Sequence, residues 1–258
     1  MPIDRYAYIN RLRHVHPGEK IFFAFAMMLL SFIPNIYINI AIIIIIASIS
    51  ILRAGIPLRF YLKLMSLPLT FLFMGIITIL FGTSNKPDVF IIYMRIAHIY
   101  IGLSKKGVAT GILLFSRSLS IVSCLYFISL TTPMPEFMSV LKKMKVPSLL
   151  LDLMELIYRF LFVLIETAEQ IYISQDSRLG YISFKTALNS LAYLISVLFI
   201  KSYTNAEQLY IAMESRCYNG DIRLLENSYK ISYTNIAFIA FTVFTLIALV
   251  LWTGGYTS

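Results

Sequence analysis

Charge is scarce in this 258-residue chain: Asp, Glu, Lys and Arg make up 14% of it, against 59% hydrophobic residues. An ordinary soluble domain carries about a quarter charged residues, so that class is excluded. The mean hydropathy of +0.79 points the same way. Cysteine is nearly absent. Cys124 and Cys217 stand alone, which gives neither a disulfide framework nor a metal-ligand spacing and suits a reducing compartment. Enzyme signatures are missing as well: the sequence holds no H-E-x-x-H, no G-x-S-x-G, no C-x-x-C and no G-x-x-x-x-G-K-[ST] phosphate loop. No catalytic residue and no cofactor are therefore expected. The first twenty residues, MPIDRYAYINRLRHVHPGEK, are polar and basic, and the first apolar run ends without a small-residue cleavage site. That pattern predicts no cleavable signal peptide.

Long apolar runs take the place of these features. The chain has room for about four to eight spans of roughly 20 residues. Phe22–Ile33 and Ile36–Leu52, separated by Pro34-Asn35, read as a tight hairpin whose first leg is too short to cross alone; the competing reading is one long kinked helix, which would reverse the location of the N-terminus. Leu62–Phe81, Gly107–Leu130 and Ile236–Trp252 are cleaner spans. Between Gly82 and Lys106 the sequence is aromatic and β-branched and carries Arg95 and His98. It reads as a loop of strand-like or partly re-entrant character on the outer face. The expectation is an all-α integral membrane protein with about five transmembrane helices.

Residues between Thr132 and Lys230 resist a simple hydropathy reading. Asp152, Glu155 and Arg159 would be submerged if Leu149–Ile165 crossed a bilayer, at a few kcal/mol each. With Glu166, Glu169 and Gln170 they recur at helical spacing, so one face of a helix is polar. Ala187–Ile200 is only fourteen residues of apolar core and continues in helical register to Arg216; Thr186 to Arg216 as one helix would be about 46 Å long. Two long amphipathic helices at the membrane surface account for both segments. The chain thus divides into a membrane domain (1–131, four crossings), a cytoplasmic coupling region (132–231) and a C-terminal crossing (232–258). Basic residues cluster before the hairpin, after it, and from Lys142 to Lys230, which places the N-terminus and the long region in the cytoplasm. The formal net charge of +9 is accounted for by these orienting loops and does not imply nucleic acid.

Two helix-ending segments carry the functional signal: IYISQDSRLGY (Ile171–Tyr181) and LYIAMESRCYNG (Leu209–Gly220). Each presents a small residue followed by arginine, Ser177-Arg178 and Ser215-Arg216, with Gly180 or Gly220 nearby to reverse the chain. A small neighbour lets a helix end enter a groove, where guanidinium forks onto carboxylate or backbone oxygens. Two equivalent tips suit two equivalent grooves. Arg117 lies inside the fourth span, where an arginine faces the bundle interior and pairs with something; a structural anchor and a contact to a partner subunit are the two roles open to it. His14 and His16 form H-x-H without a third ligand, so no metal site is expected.

The two segments resemble those of the transmembrane (T) component of energy-coupling-factor transporters, the cobalt/nickel type most closely. That family ends two coupling helices in Ala-Arg-Gly-like signatures. DRYAYINRLRHVHP (Asp4–Pro17), SRSLS (Ser116–Ser120), LTTP (Leu130–Pro133) and ELIYRFLFVLIE (Glu155–Glu166) look like the same subfamily. The sequence departs from the signature twice: Leu179 follows Arg178 with glycine delayed to Gly180, and Cys217 stands in the glycine position after Arg216. The resemblance implies a non-catalytic scaffold in a bacterial or archaeal plasma membrane, between two cytoplasmic ABC-type ATP-binding subunits and a separate substrate-binding membrane subunit. It makes Arg178 and Arg216 the docking residues, supported by Ser177, Gly180, Ser215 and Gly220. A self-contained channel or secondary transporter would bring several ionisable residues to the midplane, and Arg117 alone lies there. A membrane enzyme would cluster His, Asp or Glu at one depth. A vitamin-transporting relative is the remaining alternative, against which the N-terminal stretch argues by resemblance.

Overall fold

The computed structural model describes residues 2–84, 90–96, 99–218, 229 and 232–252. Among these, nine α-helices follow one another: α1 (Pro2–Ile9), α2 (Pro17–Leu30), α3 (Ile36–Ser48), α4 (Leu58–Leu80), α5 (Lys105–Thr131), α6 (Met134–Lys143), α7 (Ser148–Asp176), α8 (Phe184–Glu214) and α9 (Tyr233–Trp252). A small antiparallel sheet stands between α4 and α5, with strands β1 (Phe81–Ser84), β2 (Phe90–Ile96) and β3 (Ile99–Ser104) in the order β1-β3-β2. β3 pairs with both neighbours, Gly82 opposite Gly102 and Tyr93 opposite Gly102. The strand-like character read from this stretch is therefore backbone pairing; His98 lies outside the described residues. The protein is an all-α membrane protein with this one small sheet added.

The chain forms two compact units, residues 1–133 with 228–258, and residues 134–227. In the first, Ile38, Ile42 and Ile46 form an i,i+4 stripe on α3 that packs with Phe23, Ala24 and Met27 of α2, Cys124 and Phe127 of α5, and Ile239 and Leu246 of α9. A second cluster joins Ala54, Ile56, Tyr61 and Met65 to Leu130. Between them the chain leaves α3 through a π-helical turn, Ile49–Arg53, and reverses at Gly55, whose φ of +76° favours glycine.

Among the described residues, five helices are long and apolar enough to cross a membrane: Ile36–Arg53, Leu58–Leu80, Gly107–Thr131, Phe184–Glu214 and Tyr233–Leu251. The protein is thus multi-pass. The expected first crossing, Phe22–Ile33, is not among them: α2 has 14 residues, about 21 Å of rise, against a hydrocarbon core of about 30 Å. Among the described residues, three helices that precede position 133 meet that length and composition. The fourth is α8, expected from its amphipathic pattern at the membrane surface; its length and composition meet the requirement for a span.

The first unit is held at one end by polar groups at the start of α2. Lys20 Nζ donates to the carbonyl of Thr131 at the C-terminus of α5, 2.9 Å away. Asn10 Nδ2 lies 3.3 Å from the Leu130 carbonyl and 2.6 Å from that of Ala7. Adjacent Glu19 does the opposite at α9: its two carboxylate oxygens accept from the Ser232 N–H (3.0 Å) and the Asn235 side-chain amide (3.1 Å). Glu19, Lys20 and Asn10 are all buried. A cation sits at a helix C-terminus and an anion at a helix N-terminus, each the favourable sense for the helix dipole. Lys20→Met and Glu19→Gln are each expected to destabilise the protein by about 1.5–3 kcal/mol, as loss of a buried charged hydrogen bond does. Exposed Lys63→Gln should change stability by less than about 0.5 kcal/mol. Thermal unfolding of the three variants in mild detergent checks the contrast.

Candidate partner-docking tips

The second unit is dominated by the hairpin of α7 and α8. α7 has 29 residues and α8 has 31, about 43 and 46 Å of helix. Their junction is tightly tied. Gln175 Nε2 donates to the Ser190 carbonyl (3.0 Å), Tyr181 donates to Gln175 Oε1 (2.8 Å), and Ser190 Oγ donates to the Gly180 carbonyl (2.9 Å). Ser183 and Thr186 form a reciprocal capping box that starts α8. Further along, a groove of about 820 Å³ opens between the helices, lined by apolar residues such as Ile157, Phe160, Leu198 and Met213. The end of α8 returns to the start of α7, where the Tyr218 hydroxyl lies 3.3 Å from Asp152 Oδ2.

Arg178 and Arg216 sit just past the ends of these two helices, and both ends are built alike. The N–H of Ser177 donates to Ile173, that of Arg178 to Gln175, that of Leu179 to Asp176 and that of Gly180 back to Gln175. Thirty-eight positions on, Ser215 donates to Ile211, Arg216 to Met213, Cys217 to Glu214 and Tyr218 back to Met213. Each serine hydroxyl also folds onto the carbonyl four residues earlier, Ser177 on Ile173 at 2.5 Å and Ser215 on Ile211 at 2.7 Å. The 6→1 bond with a left-handed residue inside it is a Schellman ending. Leu179 at φ +61° and Cys217 at φ +57° fill the left-handed position.

This corrects the expected part of Gly180. Leu179, not glycine, reverses the chain. Gly180 is needed for close approach: a Cβ there would lie 2.7 Å from Ser190 Oγ and 2.8 Å from the Gln175 carbonyl oxygen. Gly220 lies outside the described residues. Both arginines are exposed, and among the described residues neither guanidinium makes a hydrogen bond or an ion pair. The whole length of α8 separates them.

Arg117 is placed differently. Its Nη2 donates to the Phe32 carbonyl in the turn between α2 and α3, 2.9 Å away. Ser31 Oγ lies 3.1 Å from Asn39 Oδ1 and 3.4 Å from the Arg117 carbonyl, so the turn and α5 are tied in both directions. The H-x-H pair has its own geometry: His16 Nδ1 accepts from the Gly18 N–H at 3.0 Å and so caps α2. Among the described residues no three His, Cys, Asp or Glu side chains converge as a metal site.

A polar clamp at the start of α2, an arginine-tied turn between α2 and α3 and two matched arginine tips characterise this chain. The profile of the cobalt transport protein CbiQ family matches residues 10–228. The chain belongs to this family. An uncharacterized protein of Methanocaldococcus jannaschii is 39% identical to it over 95% of this chain and 91% of its own length. The cobalt transport protein CbiQ of Salmonella typhimurium is 33% identical over 86% of this chain and 99% of its own length. The energy-coupling factor transporter transmembrane protein EcfT of Ruminiclostridium cellulolyticum is 28% identical, over 84% of each chain. The CbiQ match takes in Lys20, Arg117 and both arginine tips and ends before α9.

In this CbiQ-family chain the arginines are visible in the sequence, whereas the residues that shape their tips are not. Gln175, Ser190 and the left-handed Leu179 and Cys217 carry no motif of their own. A polar residue close before each Ser-Arg step is the available signal. Burial raises the pKa of Glu155, with the Asp152 charge adding and Arg159 opposing. A carboxyl with a raised folded pKa favours the native state while protonated, and that contribution fades as pH rises through its titration. Glu155→Gln should therefore flatten the fall in thermal stability between the ordinary carboxylate range and neutrality. At the first tip, Gly180→Ala should lower the melting temperature by several degrees through its two clashes, on the order of 1–3 kcal/mol. Leu179→Gly should leave it equal or higher, since a left-handed non-glycine residue costs about 1 kcal/mol. Parallel thermal melts of the two variants separate close approach from chain reversal.

Proposed function

We propose that this chain is the transmembrane coupling subunit of an energy-coupling-factor uptake transporter for cobalt or nickel ions. It joins two ABC-type ATP-binding subunits to a substrate-binding membrane subunit and catalyses nothing itself. The observation that carries this reading is the pair of identically built helix ends, each exposing a guanidinium with no partner among the described residues. A matched pair of cationic knobs fits a pair of like partners, and the absence of a phosphate-binding loop in the sequence leaves ATP to those partners. The names of the CbiQ and EcfT relatives supply the transport context.

In this reading residues 132–231 form the coupling region, and the N-terminus faces the cytoplasm with it, as the distribution of basic residues favours. Each tip enters a groove on one ATP-binding subunit. The serine hydroxyl is folded back onto its own helix, so the tip is narrow, and the arginine forks onto carboxylate or carbonyl oxygens. Closure of the ATP-binding subunits on ATP moves both tips, and α7 and α8 carry that displacement as rigid elements, a shear or hinge transition. The metal ion is cargo of the substrate-binding subunit.

The test is purification of the tagged chain from gently solubilised membranes with its co-expressed subunits. Wild type should carry two ATP-binding subunits. Arg178→Ala with Arg216→Ala should remain membrane-inserted and lose both, by about 30-fold or more, the effect of truncating an interface arginine worth 2 kcal/mol or more. Each single variant should lose one. A wild-type chain free of ATP-binding subunits would sink the reading.

A further inference from the structure

The two tips share a backbone design but are fastened differently. Each arginine is followed by a tyrosine, Tyr181 three residues after Arg178 and Tyr218 two after Arg216. Each tyrosine hydroxyl meets a side-chain acceptor. At the first tip that acceptor is local. The Tyr181 hydroxyl donates to Gln175 Oε1 at 2.8 Å, and its ring packs on Tyr172 with centroids 4.7 Å apart. Gln175 and Ser190 then close the bend onto α8. This tip is held by the turn it belongs to.

At the second tip the acceptor is 66 residues away in sequence. The Tyr218 hydroxyl donates to Asp152 Oδ2, 3.3 Å away in the second turn of α7. Asp152 is buried, and Tyr218 joins Leu149, Leu153 and Met213 in lining the α7–α8 groove. A carboxylate accepts a stronger hydrogen bond than a neutral group, and burial keeps competing water away from it. Tyr218 also supplies the N–H that closes the end of α8 on the Met213 carbonyl. Between it and Arg216 stands Cys217 at φ +57°, a backbone that a side chain disfavours. The chain carrying Arg216 is therefore fixed on one side by the last turn of α8 and on the other, through Tyr218, by α7.

We propose that Tyr218 and Asp152 are positioning residues for Arg216: their bond presents that guanidinium to one ATP-binding subunit, and the Arg178 tip does not depend on them. The inference rests on the coupling-subunit reading. Without the hydroxyl, the strained ending of α8 loosens from Ser215 onward, and docking must first reorder it. The first tip keeps its own network of Gln175, Tyr181 and Ser190 and is unaffected.

The experiment uses the full complex, purified through a tag on this chain, with one docking arginine removed at a time. A single ATP-binding subunit then reports on a single tip. In the Arg178→Ala background, Tyr218→Phe should lower the retained ATP-binding subunit about fivefold, the scale of a modest coupling between sites. Asp152→Asn, which leaves a neutral acceptor, should lower it less. In the Arg216→Ala background both changes should leave retention as it was, and Tyr181→Phe should give the opposite pattern. In the full chain without partners, Tyr218→Phe should speed amide exchange at residues 215–218 about tenfold and leave 177–180 unchanged. Equal loss in both backgrounds, or loss in neither, would overturn the proposal. Unchanged exchange at 215–218, or faster exchange along all of α7 and α8, would do the same. A wild type free of ATP-binding subunits would count against the coupling role, and exchange at 215–218 would still decide whether Tyr218 holds the tip.

Discussion

Two neighbouring residues of opposite charge hold the ends of three helices in register. Lys20 grips the carbonyl end of α5 while Glu19 grips the amide end of α9, and both sit on the first turn of α2. In a bundle whose core is largely apolar, dispersion and burial are nearly indifferent to sliding one helix past another by part of a turn. Charged hydrogen bonds are not. The clamp fixes the axial position of α5 relative to α2, and with it the depth at which Arg117 meets the α2–α3 turn. Asn10 adds α1 to the same point. Charges buried in this way are stable because each meets a helix terminus whose unsatisfied backbone groups would otherwise be unpaired.

The second unit follows a different logic. α8 has no buried residue in the isolated chain, and α7 buries Leu151, Asp152 and Thr167. Its apolar side chains are displayed on long, well-capped helices whose junction is closed by Gln175, Tyr181 and Ser190. Backbone hydrogen bonding sets the shape of such a hairpin, and the apolar faces are left for other surfaces. An exposed apolar area of this size on a chain with a well-packed first unit belongs to an interface or to lipid.

Much of this is legible in the sequence, for definite reasons. Long, predominantly apolar runs such as Leu62–Phe81 and Gly107–Leu130 leave little choice but a helix, since a lone segment in hydrocarbon satisfies its own backbone only as a helix. The Ser-Arg steps are visible because polar residues at helix ends stand out against apolar stretches. The shortness of the first leg is legible, since Phe22–Ile33 is too short to cross about 30 Å of hydrocarbon alone, whereas the tie of Ser31 and Phe32 to Arg117 is not. Lys20 reads as an orienting charge and Glu19 gives no signal, because the carbonyls and amides they meet lie more than a hundred residues away. Leu179 escapes notice for a related reason: leucine gives no hint of a left-handed backbone, and the nearby Gly180 offers a more obvious turn.

The unbroken length of α8 has a mechanical consequence. Residues 184–214 contain neither proline nor glycine, so nothing in the sequence provides a joint. A rod of about 46 Å that tilts by about 10° at one end carries its other end through about 8 Å. A small rotation about the Arg178 end thus becomes a shift of more than a helical turn at the Arg216 end, which makes α8 a lever with an arginine just beyond each end.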